Sequence, residues 1–518
     1  MPQTNLHGIS LRCPIATDAL EPQENDILLG INRHTDALGF SKRIDALPKE
    51  GFFYCTAPRA LIIGGKGRGL LYGVYSFLED VLGCRFFSPE VTHIPHRCCI
   101  EIPVLDHTET PAMEYREPYL TECRNPEYAV RRKVNGQSVP FFPKHGGGVK
   151  YAEGFFVHTF PPELYFDTHP EYYAEVHGER LREKTQLCLT NPAVLELVTA
   201  RVLEELRKQP DAGIFSVSQD DNYNGCTCAH CRAVNEAEGS MAGTVIRFVN
   251  AVAEAVEQEF PDVIIDTLAY QYTRKPPKLV RPRHNVCVRL CTIECCFVHP
   301  LRICNRLYVW DYITNFSHYW MPHPNFHVLA DNVRFFAENG VKGVFEQGCP
   351  AEGGGELTGL RAYVLSKCLW NPDIDADIAE DEYLYGVYQG AAPYIKAYME
   401  EVYRAVVDSG SHLYCFNHPD KPWQTMELVE RCEALFDQAE STAPDETVLY
   451  RVRKERMAVR YLRILLTPKG SVQRNALLAS FEQDVKTFGL TQIWERGTID
   501  FCLRVLRGQE EPGFWWAN

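Results

Sequence analysis

Two adjacent carboxylates, Asp220 and Asp221, stand where the apolar run GIFSV (213–217) gives way to QDDNYNG, and Cys226, Cys228 and Cys231 follow at once. GIFSV is rich in β-branched and aromatic residues and suits a buried strand, whereas QDDNYNG is turn chemistry. Carboxylates at the carboxyl end of a strand are where barrel enzymes mount hydrolytic chemistry. An Asp-Asp pair in a loop can equally form an Asx turn or a helix cap, so the neighbouring segments must decide.

Four later segments repeat the pattern of an apolar run closing on polar and aromatic residues: VIIDTLAYQY (263–272), VCVRLCTIECCF (286–297), LYVWDY (307–312) and GVKGVFEQG (340–348). They close on Tyr270 and Tyr272, Glu294, Asp311, and Glu346. Apolar residues at helical spacing fill 243–260 and 325–339 between them. Strands alternating with helices, with reactive residues at several strand ends, predict an eight-stranded β/α barrel. EYREPYL (114–120) is its opening strand, FFVHTF (155–160) follows a glycine cluster, and QLCLTN (186–191) is the third. The aspartate pair then follows strand four, and Glu346 follows strand eight. One link is short: nine residues separate Phe297 from Leu307, where a parallel crossover needs roughly a dozen.

These elements need a frame. A chain of 518 residues predicts two or three domains. A small α+β domain is expected over 1–110, the barrel over 111–375 and a helical domain over 376–518. The run Gly64-Gly65-Lys66-Gly67-Arg68-Gly69 lacks the Lys-Ser/Thr end of a phosphate loop and reads as a turn before a helix. In the tail, helical periodicity covers 381–407, 424–439 and 446–466. A formal net charge of −15 argues against nucleic acid and anionic membrane as partners. No apolar run is long enough to span a bilayer. Twenty cysteines behind an amino terminus unlike a secretory leader predict reduced thiols and a cytoplasmic location. A preceding leader would make the protein secreted instead.

The segments YFDTHPEYYAEVHGER, QLCLTNP, SVSQDDNYNGCTCAHC, LAYQYTRKPP, IECCFVHPL, NRLYVWDY and FEQG together resemble the bacterial endo-β-N-acetylglucosaminidases of glycoside hydrolase family 163. GKGRGLLYGVYSFLEDVLGCRFFSP is similar to the α+β domain that precedes the barrel in β-hexosaminidases and α-glucuronidases. The resemblance implies hydrolysis of β-linked N-acetylglucosaminides, of N-glycan type or derived oligosaccharides, with retention assisted by the substrate's acetamido group. Such chemistry needs one carboxylate to orient the acetamide and one acid to protonate the leaving oxygen. Asp221 is assigned one role and Glu294 the other, with Glu346 as substitute and Asp220 supporting from behind. The apolar, cysteine-rich setting of Glu294 would raise its pKa, although a salt bridge to Arg289 would also account for it. His158, Tyr270, Tyr272, Trp310, Asp311, Tyr312, Arg116 and Asn222 are the candidate sugar contacts, each aromatic being equally suited to a core.

Catalysis of this kind needs no cofactor. Cys226, Cys228 and Cys231 supply three of the four ligands of a structural zinc, with His230, Cys295, Cys296 or His299 available as the fourth. Two other functions fit the same residues. A hydrolase of another hexoside or a uronide would set Arg116, Arg132 or Arg274 against a sugar acid. A non-catalytic glycan-binding protein would use the carboxylates only as hydrogen-bond acceptors.

Overall fold

Six parallel strands carry the candidate chemistry: β1 (Tyr115–Tyr119), β2 (Ile214–Ser216), β3 (Ile264–Ala269), β4 (Val286–Cys291), β5 (Leu307–Tyr312) and β6 (Gly343–Gln347). Their lateral order is β2-β3-β4-β5-β6-β1. The computed structural model describes residues 15–23, 25–97, 99–152, 160–293 and 306–511. It groups them into two units, one of residues up to Arg85 with Ile94–Pro111, the other of Phe86–His93 and the chain from Ala112 onward.

In the first unit a mixed four-stranded sheet joins Asp26–Leu29, Ala60–Gly65, Phe52–Ala57 and Asp106–Glu109, in that order. Helix Gly69–Asp80 packs against the two middle strands, bringing Gly73 close to Ile63 and Phe52. The glycine run is a turn into this helix, as its sequence predicts. Gly65 and Gly69 sit so tightly there that a β-carbon would collide with the backbone of Leu70 and of Gly51 respectively.

In the second unit the expected closed eight-stranded barrel is, among the described residues, a curled sheet of six strands whose edges, β1 and β2, do not pair. Irregular chain fills the seam. Asn135 exchanges hydrogen bonds with the backbone of Arg116 on β1 and accepts one from Val149 N. Lys150 O accepts from Gly213 N and Ile214 N, and Tyr151 bridges Ile214 on β2. The intervening stretch holds Pro140, Pro143 and Gly146–Gly148, residues that withhold donors or side chains from a regular ladder. The second expected strand falls largely on 153–159, outside the described residues. The third, 186–191, is not a strand: Leu187 makes a single antiparallel bridge to Tyr173.

Helix Pro192–Lys208 precedes β2, and helices Ala242–Glu257, Phe326–Glu338 and Thr358–Trp370 follow β2, β5 and β6. Asn191 caps the first by accepting from Ala193 N, with Pro192 opening its first turn. On the second, Val245, Val249, Val252 and Val256 recur at helical spacing and are all buried. Beyond residue 375 the chain is helical, with more interruptions than its periodicity predicts. The span 381–407 breaks between Ala376–Tyr388 and Ala392–Asp408, where Gln389 takes a φ of 49° and Pro393 lies in the first turn of the next helix. The span 446–466 divides at Arg456. No helix among the described residues is long and apolar enough to cross a membrane.

Alternation along the strands fills the interior of the sheet with Tyr115, Ser216, Asp266, Arg289 and Tyr308. Arg289 Nε lies 3.2 Å from Asp266 Oδ2, and both side chains are buried. The guanidinium carbon lies 5.5, 5.0 and 5.8 Å from the ring centroids of Tyr115, Tyr151 and Tyr308, and the Ser216 hydroxyl donates to Asp266 Oδ1 at 2.9 Å. Removing one partner of such a pair leaves an uncompensated buried charge, so Arg289→Met should cost about 3–5 kcal/mol of stability. The double variant Arg289→Met/Asp266→Leu should recover much of that loss in chemical denaturation. A double variant as unstable as the single one would show that the pair is not what the interior depends on.

Candidate active site

At the carboxyl ends of the strands lies a cleft of about 1490 Å³. Glu117 and Tyr119 come to it from β1, Gln219–Asn224 from the loop after β2, Tyr270 and Gln271 from after β3, and Cys291 and Ile293 from β4. Trp310 and Tyr312 of β5, Phe345 and Gln347 of β6, and Glu495 and Arg496 of the helical region complete the wall. Polar groups therefore converge on an aromatic floor, the make-up of a small-molecule cleft.

The loop after β2 is irregular because Gln186 holds it. Gln186 Nε2 donates to Asp220 O and Asn222 O, both at 2.9 Å, and its Oε1 accepts from Asp220 N at 2.9 Å. Asn222 Nδ2 donates to Thr185 O, and Asn222 Oδ1 accepts from Asn224 N and Gln186 Nε2. The Asn222 side chain, expected to touch sugar, is thus engaged in shaping the loop. Both Asp220 and Asp221 line the cleft. Asp221 Oδ1 accepts from the Tyr270 hydroxyl at 2.8 Å and from Gln271 Nε2 at 3.2 Å. Burial, then the hydrogen bond to Asp221, holds the Tyr270 phenol above its ordinary range, so it stays a donor.

Trp310 and Tyr312 line the cleft side by side, their rings 6.1 Å apart and 16° from parallel, with Phe345 edge-on to Trp310 at 4.9 Å. Trp310 Nε1 donates to Gln347 Oε1 at 2.7 Å, and Gln347 Nε2 reaches Glu495 Oε1 at 3.3 Å. Glu495 N donates to Phe316 O at 2.9 Å, which pins this segment beside the loop that follows β5. Burial raises the Glu495 carboxyl above the usual range; the Arg496 charge opposes this and the Asp221 charge adds to it.

Several expected site residues lie elsewhere. Asp311 and Glu346, paired across β5 and β6, alternate to the sheet face opposite Trp310, Tyr312, Phe345 and Gln347. There the Thr292 hydroxyl and Tyr312 N donate to Asp311, while the Glu346 charge is felt by Cys368 on helix Thr358–Trp370. Burial first, then Asp311, pushes Glu346 well above the usual carboxylate range. Arg116 is 1% exposed, donates to Met113 O and Lys133 O, and stacks over Trp370, away from the cleft. Arg132 lies buried over the Tyr363 ring. Tyr272 sits behind the loop after β2, against Gly225. Glu294 and His158, with Cys295, Cys296 and His299, lie outside the described residues. Arg289, the suggested partner of Glu294, faces Asp266.

Glu117, Gln186, Glu495 and Arg496 went unrecognised in the sequence. Glu117 is fully buried, accepts from the Tyr115 hydroxyl and Ser138 N, and meets Gly136, whose missing side chain leaves it room. Alternation from Tyr115 and Tyr119 was the available signal for it. Nothing in a helical tail signals that Glu495 returns to the cleft. The fourth thiol beside Cys226, Cys228 and Cys231 is Cys188, while His230 is exposed.

Residues 86–400 match the family model described as a domain of unknown function, DUF4838. The chain belongs to that family. No curated protein matches it significantly. Among solved structures, this DUF4838 protein is similar to the family 89 glycoside hydrolase of Clostridium perfringens in complex with its substrate GlcNAc-α-1,4-galactose. That likeness has a TM-score of 0.51 and 10% identity over 85% of this chain and 60% of that one. The same enzyme's complex with PUGNAc gives a TM-score of 0.52 at 10% identity, over 84% and 61%. Its complex with 2-acetamido-1,2-dideoxynojirimycin gives 0.52 at 9% identity over the same shares. The DUF4838 chain thus spans about three-fifths of the length of these enzymes, and the likeness is one of fold.

Gln186→Ala deletes three hydrogen bonds to the loop backbone. It should lower stability by about 1–3 kcal/mol and speed amide hydrogen exchange selectively over 219–224. Unchanged exchange there would show that the loop holds its shape without Gln186.

Proposed function

We propose that the protein is a glycoside hydrolase acting on N-acetylhexosaminides, and specifically on β-linked N-acetylglucosamine with retention. The observation that carries this reading is Asp221, held by Tyr270 and Gln271 in an aromatic cleft that it shares with a second carboxyl, Glu495, whose pKa is raised. A carboxyl held protonated by its environment suits the acid role, which the raised Glu495 fits. Asp221 would accept from the acetamide N–H, turning the acetamide oxygen onto the anomeric carbon and stabilising the charge that develops. The protonated partner would give its proton to the leaving oxygen, and as a carboxylate would then draw a proton from the incoming water. Glu495 fits the acid by geometry, and Glu294, at the end of β4, is its rival by sequence. Trp310 and Tyr312 offer flat faces to the apolar side of a pyranose. The resemblance to family 163 enzymes supports the β linkage and an N-glycan type of substrate.

A second reading rests on one observation, the α-linked substrate in the structurally similar family 89 enzyme. Aryl α- and β-N-acetylglucosaminides, the matching glucosides and a complex-type N-glycan separate the two. Cleavage should be confined to β-linked acetamido sugars and fall by about 10²–10⁴-fold in Asp221→Asn. A comparable fall in Glu495→Gln with a mild one in Glu294→Gln would assign the proton donor to Glu495; the reverse would assign it to Glu294. Turnover of glucosides lacking the acetamide would sink the substrate-assisted mechanism.

The acid works only while protonated, so activity falls as pH rises through its pKa. The positive charge of Arg496 lowers the Glu495 pKa. Arg496→Gln should therefore move the alkaline limb of kcat/KM to higher pH, and an unmoved limb would remove Glu495 from the acid role.

A further inference from the structure

Four thiols meet behind the candidate catalytic loop. Cys188, Cys226, Cys228 and Cys231 are all buried, at 4, 7, 6 and 1% exposure, and their sulfur atoms lie within 4.8 Å of one another. Cys188 Sγ is 3.7 Å from Cys228 Sγ and 3.9 Å from Cys231 Sγ. A disulfide would require about 2.05 Å. Four sulfurs bound tetrahedrally at about 2.3 Å around zinc stand about 3.8 Å apart. The geometry points to a structural zinc ion held by these four cysteines.

The surroundings suit a thiolate cluster. Glu175 N points at Cys226 Sγ at 3.4 Å, and the Arg180 guanidinium approaches the same sulfur at 3.9 Å. Backbone N–H donors and a nearby cation both stabilise the negative charge that four thiolates leave on a zinc complex. The Thr190 hydroxyl lies 3.1 Å from Cys231 Sγ. Cys228 opens helix Ala229–Glu238, so Cys231 sits in its first turn. The apolar neighbours Ala174 and Val176 pack against the cysteines. All four ligands come from protein, which closes the site to substrate and makes the metal structural.

Position gives the metal its use. Cys188 lies two residues after Gln186, the side chain that clamps Asp220 and Asn222, and Cys226 ends the same loop. Zinc would tie both anchors of the Asp220–Asp221 loop to each other and to the start of helix Ala229–Glu238. The assignment of the metal stands on the sulfur geometry and is independent of the hydrolase reading.

Protein purified under reducing conditions without chelator should contain stoichiometric zinc by elemental analysis. Cys188→Ser should lose it, while the exposed Cys99→Ser should retain it. Should Cys188→Ser fail to fold, the wild-type chain still decides. Exchange of its metal for cobalt should produce thiolate-to-cobalt charge-transfer bands with tetrahedral d–d bands. Stripping the metal should speed amide exchange over 219–226, and zinc but not magnesium should reverse that. Zinc-free protein that takes up no cobalt, bound iron in place of zinc, or disulfides among the four cysteines would overturn the proposal. Metal content is read without any substrate, so failure of the hydrolase assignment would leave this result intact.

Discussion

A strand shows a given face only every second residue, and the arrangement of this cleft depends on that constraint. On β5 and β6 it turns Trp310, Tyr312, Phe345 and Gln347 toward the cleft, and so sends Asp311 and Glu346 behind the sheet. On β1 it brings Glu117 in and takes Arg116 out. Adjacent carboxylates on a regular strand could not serve one ligand. Asp220 and Asp221 both reach the cleft because they lie past the end of β2, where the backbone has left the pleat. The price of leaving it is a set of backbone groups without ladder partners, and Gln186 satisfies three of them.

Beneath the cleft the same alternation creates a different problem, since a curled sheet must fill its own interior. Here the filling is ionic and aromatic: Arg289 and Asp266 within a ring of Tyr115, Tyr151 and Tyr308. Tyr151 is not on a strand. It comes from the irregular seam between β1 and β2, so the seam completes the interior although it does not complete the ladder. The Tyr115 hydroxyl carries this packing up to Glu117, which joins the interior to the cleft floor.

Much of this was legible in the sequence. Strands β1 to β6 are short apolar runs between helices of clear periodicity, and the structure forms all six. Of the other two expected strands, FFVHTF falls largely outside the described residues; in QLCLTN the polar positions Gln186 and Cys188 are directed to the loop and the thiol cluster instead of to a sheet. Period-2 reading cannot tell a barrel strand from an extended segment whose alternate residues serve other partners. Asp220 and Asp221 line the cleft from the loop past the end of β2, and Trp310 and Tyr312 line it by alternation on β5, positions that strand-end reading of the sequence reaches. Glu346 and Asp311 were misplaced because a residue was judged by its position near a strand end and not by its parity with the aromatic beside it.

Glu495 marks a limit of another kind. It is brought to the cleft by contacts distant in sequence, Glu495 to Phe316 and Gln347, and Tyr319 to Ile493. Helical periodicity in the tail reports only that helices pack, not where the loop between two of them lands. The consequence is functional as well as topological. On the proposed division of roles, the cleft would work only when the helical region is docked, so a change that loosens Leu490–Arg496 should act on the chemistry while leaving the six strands intact. The loop after β2 is held from the opposite side by Gln186 and the four thiols. Asp221 and Glu495 are therefore positioned by two separate supports, and their mutual electrostatic influence is where those supports meet.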